Sequence, residues 1–164
     1  MTFIQRTLWF VVLLALQVLV FNHIHIMGFA TPMPFFFLLL IFHSETPRWK
    51  YIVWGFAIGA AVDLFSRSLG EYAAVSTFLG LIAPKLRDAF APADMDEEGY
   101  VPSARTMKWR RFSLYAFFST AIFCTLFYIL ECFSFIHLKE MAINIAASTA
   151  LTFLVIMAIE KIRK

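Results

Sequence analysis

The sequence predicts an all-α integral membrane protein, a compact bundle of six transmembrane helices with a short second helix and both termini in the cytoplasm. The first observation is composition: 61% of the residues are hydrophobic and 15% are charged, whereas an average soluble domain has about 45–50% and about 25%. The second observation is that the apolar residues fall into six blocks. The third is charge: if the blocks cross in sequence, all of the fourteen Lys and Arg residues except Arg67 and Lys139 fall on one side.

This one-sided placement of cations predicts both the number of crossings and their direction. Cytoplasmic loops retain Lys and Arg, and that bias sets the orientation of a membrane protein. An odd number of crossings would break the agreement. Since the chain has 164 residues and a crossing takes roughly 15–20 of them, no loop is long enough for a soluble domain. We therefore expect a single membrane domain over residues 1–164.

The helix boundaries follow the apolar blocks. The helices are predicted at about 7–21, 34–43, 49–65, 72–86, 112–130 and 139–159, with a cytoplasmic loop at 87–111. The first block follows Arg6 and resembles a signal peptide, but no small-x-small cleavage site comes after it. We interpret it as a retained crossing. Pro84 is expected to kink or end the fourth helix, because proline disrupts a helix interior.

The second helix is the least certain of the six. Pro34 biases the preceding residue toward extended backbone, so a rigid turn leads into a run of Phe and Leu that ends near His43. This run is shorter than the usual spanning length, and a re-entrant segment is the alternative. Arg48 and Lys50 follow the run and favour a thin crossing.

Small residues on the third helix form the sharpest local pattern. Gly55, Gly59 and Asp63 are spaced four apart and share one helix face. Such spacing lets two helix backbones approach closely, either inside the bundle or against a partner helix. Asp63 is a functional candidate because a carboxylate in a membrane is costly. It lies near the outer end, and Arg67 at i+4 could clamp it there, or it could bind a partner or solute.

Polar and small stripes on the last three helices predict inward-facing contacts between helices. The stripes are Ala73, Thr77, Gly80 and Ala83; Thr120, Cys124, Tyr128 and Cys132; and Glu140, Asn144, Ser148 and Thr152. The loop at 87–111 has an acidic half and a basic half. It is either a solvated segment with membrane anchors or a surface for a soluble partner.

Several functions are not expected. Nucleic-acid binding is excluded because the cations sit at helix ends rather than along one face. Nucleophile, zinc-protease and phosphate-loop patterns are missing, so no enzyme activity and no cofactor are predicted. His23 and His25 lack a third ligand, so no metal site is expected. Cys124 and Cys132 would lie roughly 12 Å apart on one helix, which is too far for a disulfide.

Three segments resemble one family. The stretch 17–32, the pattern Gly55-x3-Gly59-x3-Asp63-x2-Ser66-x3-Gly70-x2-Ala73 and the segment Gly99-Tyr-Val-Pro102 are similar to the rod shape-determining protein MreD of Bacteroidetes. The candidate residues for helix packing or partner docking are Gly55, Gly59, Asp63, Arg67 and Gly70. Those of the cytoplasmic loop are Tyr100, Arg105, Lys108, Arg110 and Arg111.

The resemblance implies a non-catalytic scaffold of the cell-elongation machinery in the bacterial inner membrane. Its expected partners are an MreC-like bitopic protein and, directly or indirectly, an MreB-like filament, a RodA-like polymerase and a class B penicillin-binding transpeptidase. The alternative is a solute-binding subunit of an energy-coupling-factor-like transporter. That function needs an outward cavity lined by Asp63, Gln17, Asn144 and Glu140. A filled interior would remove the alternative, and an enclosed cavity of a few hundred Å3 would revive it.

Overall fold

A computed structural model describes residues 10–17, 31–66, 68–92, 99–132 and 138–163. These residues form helices joined by turns, and no strand occurs among them. The helices are α1 (10–17), a 3-10 turn at Pro34–Phe36 that continues into α2 (Phe37–Leu40), α3 (Arg48–Ser66), α4 (Glu71–Phe90), α5 (Trp109–Cys132) and α6 (Leu138–Ile162). The prediction of an all-α fold is confirmed for the described residues.

The four long helices run antiparallel to their neighbours in sequence. On α3 and α4, Tyr51 faces Gly80 and Gly59 faces Tyr72. Helices α4 and α5 are also antiparallel and meet through Tyr72 and Phe127. Helices α5 and α6 are antiparallel too, and meet through Phe117 with Phe153 and Tyr128 with Ser148. The start of α3, the end of α4, the start of α5 and the end of α6 therefore share one end of the bundle. We call it the basic end because it carries Arg48, Lys50, Lys85, Arg87, Arg105, Lys108, Arg110, Arg111, Lys161 and Arg163.

Helices α3 and α4 pack backbone against backbone. A Cβ atom on Gly55 would overlap the carbonyl oxygen of Ser76, and one on Gly59 would overlap that of Tyr72. The contact is reciprocal, since a Cβ on Gly80 would overlap the carbonyl oxygen of Tyr51. Glycine is therefore required at all three positions for the helices to lie this close. The structure places Gly55 and Gly59 inside the bundle, as the internal-packing interpretation expects.

The core of the bundle is the short segment around α2. Every residue from Met33 to Phe42 is buried. Phe36 stacks on Phe123 of α5 with ring centroids 4.4 Å apart. Phe35 meets Tyr72 of α4 and the same Phe123 edge to face. The long helices thus surround a phenylalanine-rich segment of their own chain.

The helical part of this segment is shorter than the predicted 34–43. It comprises the three-residue 3-10 turn and the four residues of α2, which extend roughly 12 Å. A helix of that length cannot cross a hydrocarbon core of about 30 Å. Two prolines upstream and the polar sequence His43-Ser44-Glu45 downstream limit its length.

The other boundaries differ from the prediction mainly at the basic end. Helix α4 continues through Pro84 to Phe90, so of the two expectations for this proline, a kink or an end of the helix, the end is wrong. Buried Gly80 and Ala83 precede the proline and buried Arg87 follows it, so contacts on both sides hold the helix together. The predicted loop at 87–111 loses 87–90 to α4 and 109–111 to α5.

Among the described residues, two helices are long and apolar enough to suggest a membrane. The stretches Trp109–Glu131 of α5 and Lys139–Ile162 of α6 are long and apolar enough to cross a membrane. Their exposed side chains include Phe117, Ile143 and Leu154. Apolar side chains on the outside of a bundle suit contact with hydrocarbon. These helices point to a membrane location for the chain.

Candidate functional site

Asp63 caps the start of α4. Its side chain accepts hydrogen bonds from the backbone amides of Tyr72 at 3.2 Å and Ala73 at 2.8 Å, and from the hydroxyl of Ser68. The first amides of a helix have no partner within the helix, and the helix dipole favours a negative charge beside them. Asp63 is buried and lies in the last turn of α3, so one carboxylate joins the end of α3 to the start of α4.

Gly70 makes the tight turn before α4 possible. Its φ of 94° lies in the left-handed region, where a side chain is strained. No atom of the described residues lies within 4 Å of where its Cβ would be, so the requirement is conformational rather than steric. Arg67, the expected partner of Asp63, lies outside the described residues. The described partners of Asp63 are instead Ser68 and the α4 backbone.

Side chains from α6 and α1 hold the start of the buried segment. The Thr31 amide donates to Ser148 Oγ at 3.2 Å, and the Met33 amide donates to Thr152 Oγ1 at 3.1 Å. Gln17 Nε2 of α1 donates to the carbonyl of Pro32 at 3.3 Å. Proline breaks the local helix pattern here, so these backbone groups need partners from elsewhere in the fold.

Two tyrosines hold the other end of the segment. Tyr51 Oη donates to the carbonyls of Phe42 at 3.5 Å and His43 at 3.4 Å. Tyr115 Oη lies 3.5 Å from the carbonyl of Leu40. The last carbonyls of a helix have no partner within it, and irregular backbone at membrane depth is tolerated only where protein supplies partners. The buried segment is therefore satisfied at both ends.

Arg87 organises the basic end from inside the bundle. Its Nη1 donates to Tyr51 Oη at 2.9 Å and to the carbonyl of Ser44 at 3.1 Å, and Nη2 donates to Asp88 Oδ1 at 2.7 Å. Only 7% of Arg87 is exposed. In the one-sided placement of cations Arg87 counts only as a charge of the cytoplasmic side, and that interpretation misses its structural role.

The segment Gly99–Met107 is fastened to the base of the bundle. Ser44 and Tyr100 exchange two hydrogen bonds of 2.8 Å, from the Ser44 amide to the Tyr100 carbonyl and from the Tyr100 amide to Ser44 Oγ. Burial raises the pKa of the Tyr100 phenol. On the other side, the Ala104 amide donates to Glu160 Oε1 of α6 at 2.9 Å. The segment is thus an ordered part of the fold, not a freely solvated connection.

Glu160 and Arg163 complete this attachment. Their side chains lie 3.3 Å apart at the end of α6, and Glu160 is buried. Burial lowers the pKa of the Arg163 guanidinium, and the Glu160 carboxylate acts in the opposite sense. Arg163 also lies over the ring of Phe37, 6.0 Å from its centroid, so it touches the buried segment.

Comparisons of the chain with protein families, with curated proteins and with solved structures found no match. Its candidate function therefore rests on its own residues. Within the part of the chain that the structure describes, no group of three or more His, Cys, Asp or Glu side chains could hold a metal ion.

The remaining candidate residues divide into exposed cations and residues that the structure does not cover. Arg105, Lys108, Arg110 and Arg111 are exposed at the basic end. Arg111 is partly fixed, since its Nη1 donates to the Ala91 carbonyl at 3.0 Å. His23, His25 and the acidic residues 94, 96, 97 and 98 lie outside the described residues, as does the side chain of Cys132.

The polar stripe of α6 faces inward over only part of its length. Ser148 and Thr152 are fully buried, whereas Glu140 is exposed and Asn144 is half-buried. Continued at the same four-residue spacing, the stripe reaches Glu160, which lies one residue past the predicted end of this helix at 159. In α4 the buried positions Ser76, Gly80 and Ala83 likewise lead to Arg87. The signal for both missed residues was the register of the buried face, continued past the expected end of the helix.

Proposed function

We propose that the protein is a non-catalytic scaffold of the bacterial inner membrane, an MreD-like member of the cell-elongation machinery. In this function it links an MreC-like periplasmic partner with an MreB-like filament, a RodA-like polymerase and a class B penicillin-binding transpeptidase. The residues that carry the resemblance to MreD support the proposal through their roles. Gly55, Gly59, Asp63 and Gly70 all build the hairpin of α3 and α4.

The observation that carries the proposal is the filled interior. The middle of the bundle holds the chain's own Phe35, Phe36 and Phe37, each at most 1% exposed. Hydrogen bonds from the surrounding helices fix this segment at both ends. A bundle filled in this way offers its outer surface and its two ends for interaction, as a scaffold requires.

The distribution of charge supports a cytoplasmic basic end. Ten of the described Lys and Arg residues lie there, whereas Lys139 lies at the opposite end. By the positive-inside rule the basic end lies in the cytoplasm. The proposal keeps six crossings and both termini in the cytoplasm, although α2 alone is too short to form the second crossing. In this orientation the segment from Tyr100 to Arg111 faces cytoplasmic partners, and the capped turn of Asp63 and Ser68 faces the periplasm.

The transporter alternative is less well supported by the same residues. Asp63 was a candidate to bind solute, yet both of its carboxylate oxygens accept hydrogen bonds from the chain itself. Gln17 is buried and directs its amide at the Pro32 carbonyl. Glu140, another candidate, is exposed rather than turned toward the interior.

Co-purification tests the scaffold proposal. The tagged chain is extracted from its native membrane in mild detergent, and mass spectrometry identifies the proteins that accompany it. Recovery of an MreC-like protein and wall synthases is the expected result. Recovery of ATPase subunits, or of a tightly held small molecule without wall proteins, would overturn the proposal in favour of a transporter.

A loop variant makes the same experiment more specific. Arg105→Gln with Lys108→Gln changes two exposed cations of the cytoplasmic segment and leaves the hydrogen bonds of Ser44 and Glu160 in place. We expect this variant to recover less of the cytoplasmic partners while retaining the MreC-like protein. Arg48→Gln with Lys50→Gln removes the same charge from the start of α3 and is the matched control.

A further inference from the structure

A pocket at the basic end combines two cations with apolar walls. It measures about 370 Å3, lies between the end of α4 and the start of α5, and is lined by Ala89, Phe90, Arg110, Arg111 and Leu114. The contact from Arg111 to the Ala91 carbonyl uses one guanidinium N–H bond, and Arg has five. The site therefore keeps donors for an anionic group beside the apolar side chains of Phe90 and Leu114.

An apolar groove lies farther along the same pair of helices. It measures about 320 Å3 and is lined by Phe78, Ala121, Ile122, Thr125 and Leu126. From Arg111 to Ile122 is eleven residues, which is roughly 16 Å along α5. The groove therefore lies well inside the apolar stretch of α5, on the side of the pocket away from the basic end.

The pocket and the groove belong to one stripe, which we call the α4–α5 seam. On α5 the spacing of three and four residues that keeps side chains on one face runs through Arg111, Leu114, Phe118, Ile122 and Thr125. On α4, Phe78, Lys85 and Ala89 are seven and four residues apart, which places them on one side of that helix. Phe118 stacks on Phe90 with centroids 5.5 Å apart, between the pocket and the groove.

Along the seam, cationic side chains are followed by apolar ones, in the same order as the headgroup and the acyl chain of a lipid. Arg110, Arg111 and the exposed Lys85 gather where the helix ends reach the membrane surface. Exposed Leu114, Phe118 and Phe78 follow toward the middle of the helices. Basic pockets between transmembrane helices on the cytoplasmic side suit anionic headgroups. The apolar groove beyond them suits an acyl chain.

We propose that the α4–α5 seam binds an anionic membrane phospholipid, with its phosphate between Arg110 and Arg111 and an acyl chain along Phe118 toward Ile122. Phosphate takes charge-assisted hydrogen bonds from guanidinium groups. The lipid would occupy the pocket and the groove, which the described side chains leave open on either side of the stacked Phe90 and Phe118. The proposal rests on a membrane location and not on the scaffold function.

Native mass spectrometry of the purified full chain in detergent measures this binding directly. Phosphatidylglycerol is titrated against phosphatidylcholine, and the dissociation constant of each is read from the bound fraction. We expect Arg110→Gln with Arg111→Gln to weaken phosphatidylglycerol binding roughly 25-fold, about fivefold for each cation. Phosphatidylcholine binding should stay unchanged.

The control removes the same charge elsewhere at the basic end. Arg48 and Lys50 are exposed at the start of α3, away from the seam, so Arg48→Gln with Lys50→Gln should keep the wild-type affinity. Equal losses in the two double variants would mean that a diffuse basic field attracts the lipid, and would overturn the site. Unchanged binding in both would overturn it as well.

A third variant tests the acyl-chain part. Ala121→Phe narrows the apolar groove without changing charge, and it should weaken long-chain phosphatidylglycerol while leaving a dihexanoyl analogue unaffected. Inorganic phosphate tests whether the site binds a free anion instead of a lipid. If phosphate displaces the long-chain lipid at equal concentration, the ligand is a free phosphate and the lipid proposal is wrong. No partner protein enters these measurements, so their failure leaves the scaffold proposal to be judged by co-purification.

Discussion

Arg87 Nη1 donates a hydrogen bond of 2.9 Å to the hydroxyl of Tyr51, 36 residues earlier in the chain. An Arg side chain has only donors, so the Tyr51 oxygen must accept this bond and turn its own proton elsewhere. The available acceptors are the carbonyls of Phe42 and His43, at 3.5 and 3.4 Å. A single buried cation thereby fixes the direction of the hydrogen bonds that close the end of the buried segment.

Replacement of Arg87 should destabilise the fold. Arg87→Ala removes the bonds to Tyr51 and to the Ser44 carbonyl, and hydrogen bonds from charged groups contribute about 1.5–3 kcal/mol. We expect a lower unfolding temperature in detergent. Arg105→Ala, an exposed cation of the same end, is the control. Equal unfolding temperatures for the two variants would remove the structural role of Arg87.

A side chain at Gly59 should force α3 and α4 apart. The Cβ of Gly59→Ala would overlap the backbone of Tyr72, which cannot move as a side chain can. Overpacking of this kind costs about 1–3 kcal/mol. Thermal unfolding in detergent measures the loss, and Ala57→Val on the exposed face of the same helix is the control. A Gly59→Ala protein as stable as wild type would mean that the two helices do not touch as described.

Gly70 should respond to substitution for a different reason. Its Cβ would meet no atom within 4 Å, but its φ of 94° is left-handed, and a side chain there costs about 1–2 kcal/mol. Gly70→Ala should therefore destabilise the protein, and Gly70→Asn should do so less, because Asn tolerates this region better. If the two variants were equally stable, or if Ala were the milder change, the conformational explanation would fail.

The face of α3 that packs against α4 could be predicted from the sequence, whereas the hydrogen bonds of Asp63 could not. The four-residue spacing of Gly55, Gly59 and Asp63 predicted one face, and the structure presents all three to α4. Spacing could not show that Asp63 would bond to the amides of Tyr72 and Ala73, because a cap depends on the path of the turn between two helices.

The buried ends of the long helices were harder to predict. Arg87 and Glu160 are charged and lie near helix ends, and such residues are most often exposed. Glu160 is bonded to Ala104 of the segment Gly99–Met107, and Arg87 is bonded to Ser44, to which Tyr100 fastens the same segment. A connection of this kind leaves little periodic pattern in the sequence. The length of α2 was missed for a similar reason, since partners from other helices let a short helix persist in the core.

Asp63 should matter more than its neighbour Glu71. Asp63→Ala removes the acceptor of two amides at the start of α4, and loss of a helix cap costs about 0.5–2 kcal/mol. Glu71 lies one residue before Tyr72 in the same turn and is half-buried. We expect Asp63→Ala to lower both the unfolding temperature and the yield of folded protein, and Glu71→Ala to change them little. Wild-type behaviour of both variants would remove the special role of Asp63.

Cysteine labelling tests the orientation that the charge distribution predicts. Leu69 is 99% exposed at the end opposite the basic end, and Arg105 is exposed at the basic end. In a background with Cys132→Ser, the native Cys124 is buried and should stay unlabelled. A membrane-impermeant maleimide should modify Leu69→Cys in cells with an opened outer membrane, and Arg105→Cys only after the inner membrane is permeabilised. The reverse pattern would invert the topology and move the loop of Tyr100 away from any cytoplasmic partner.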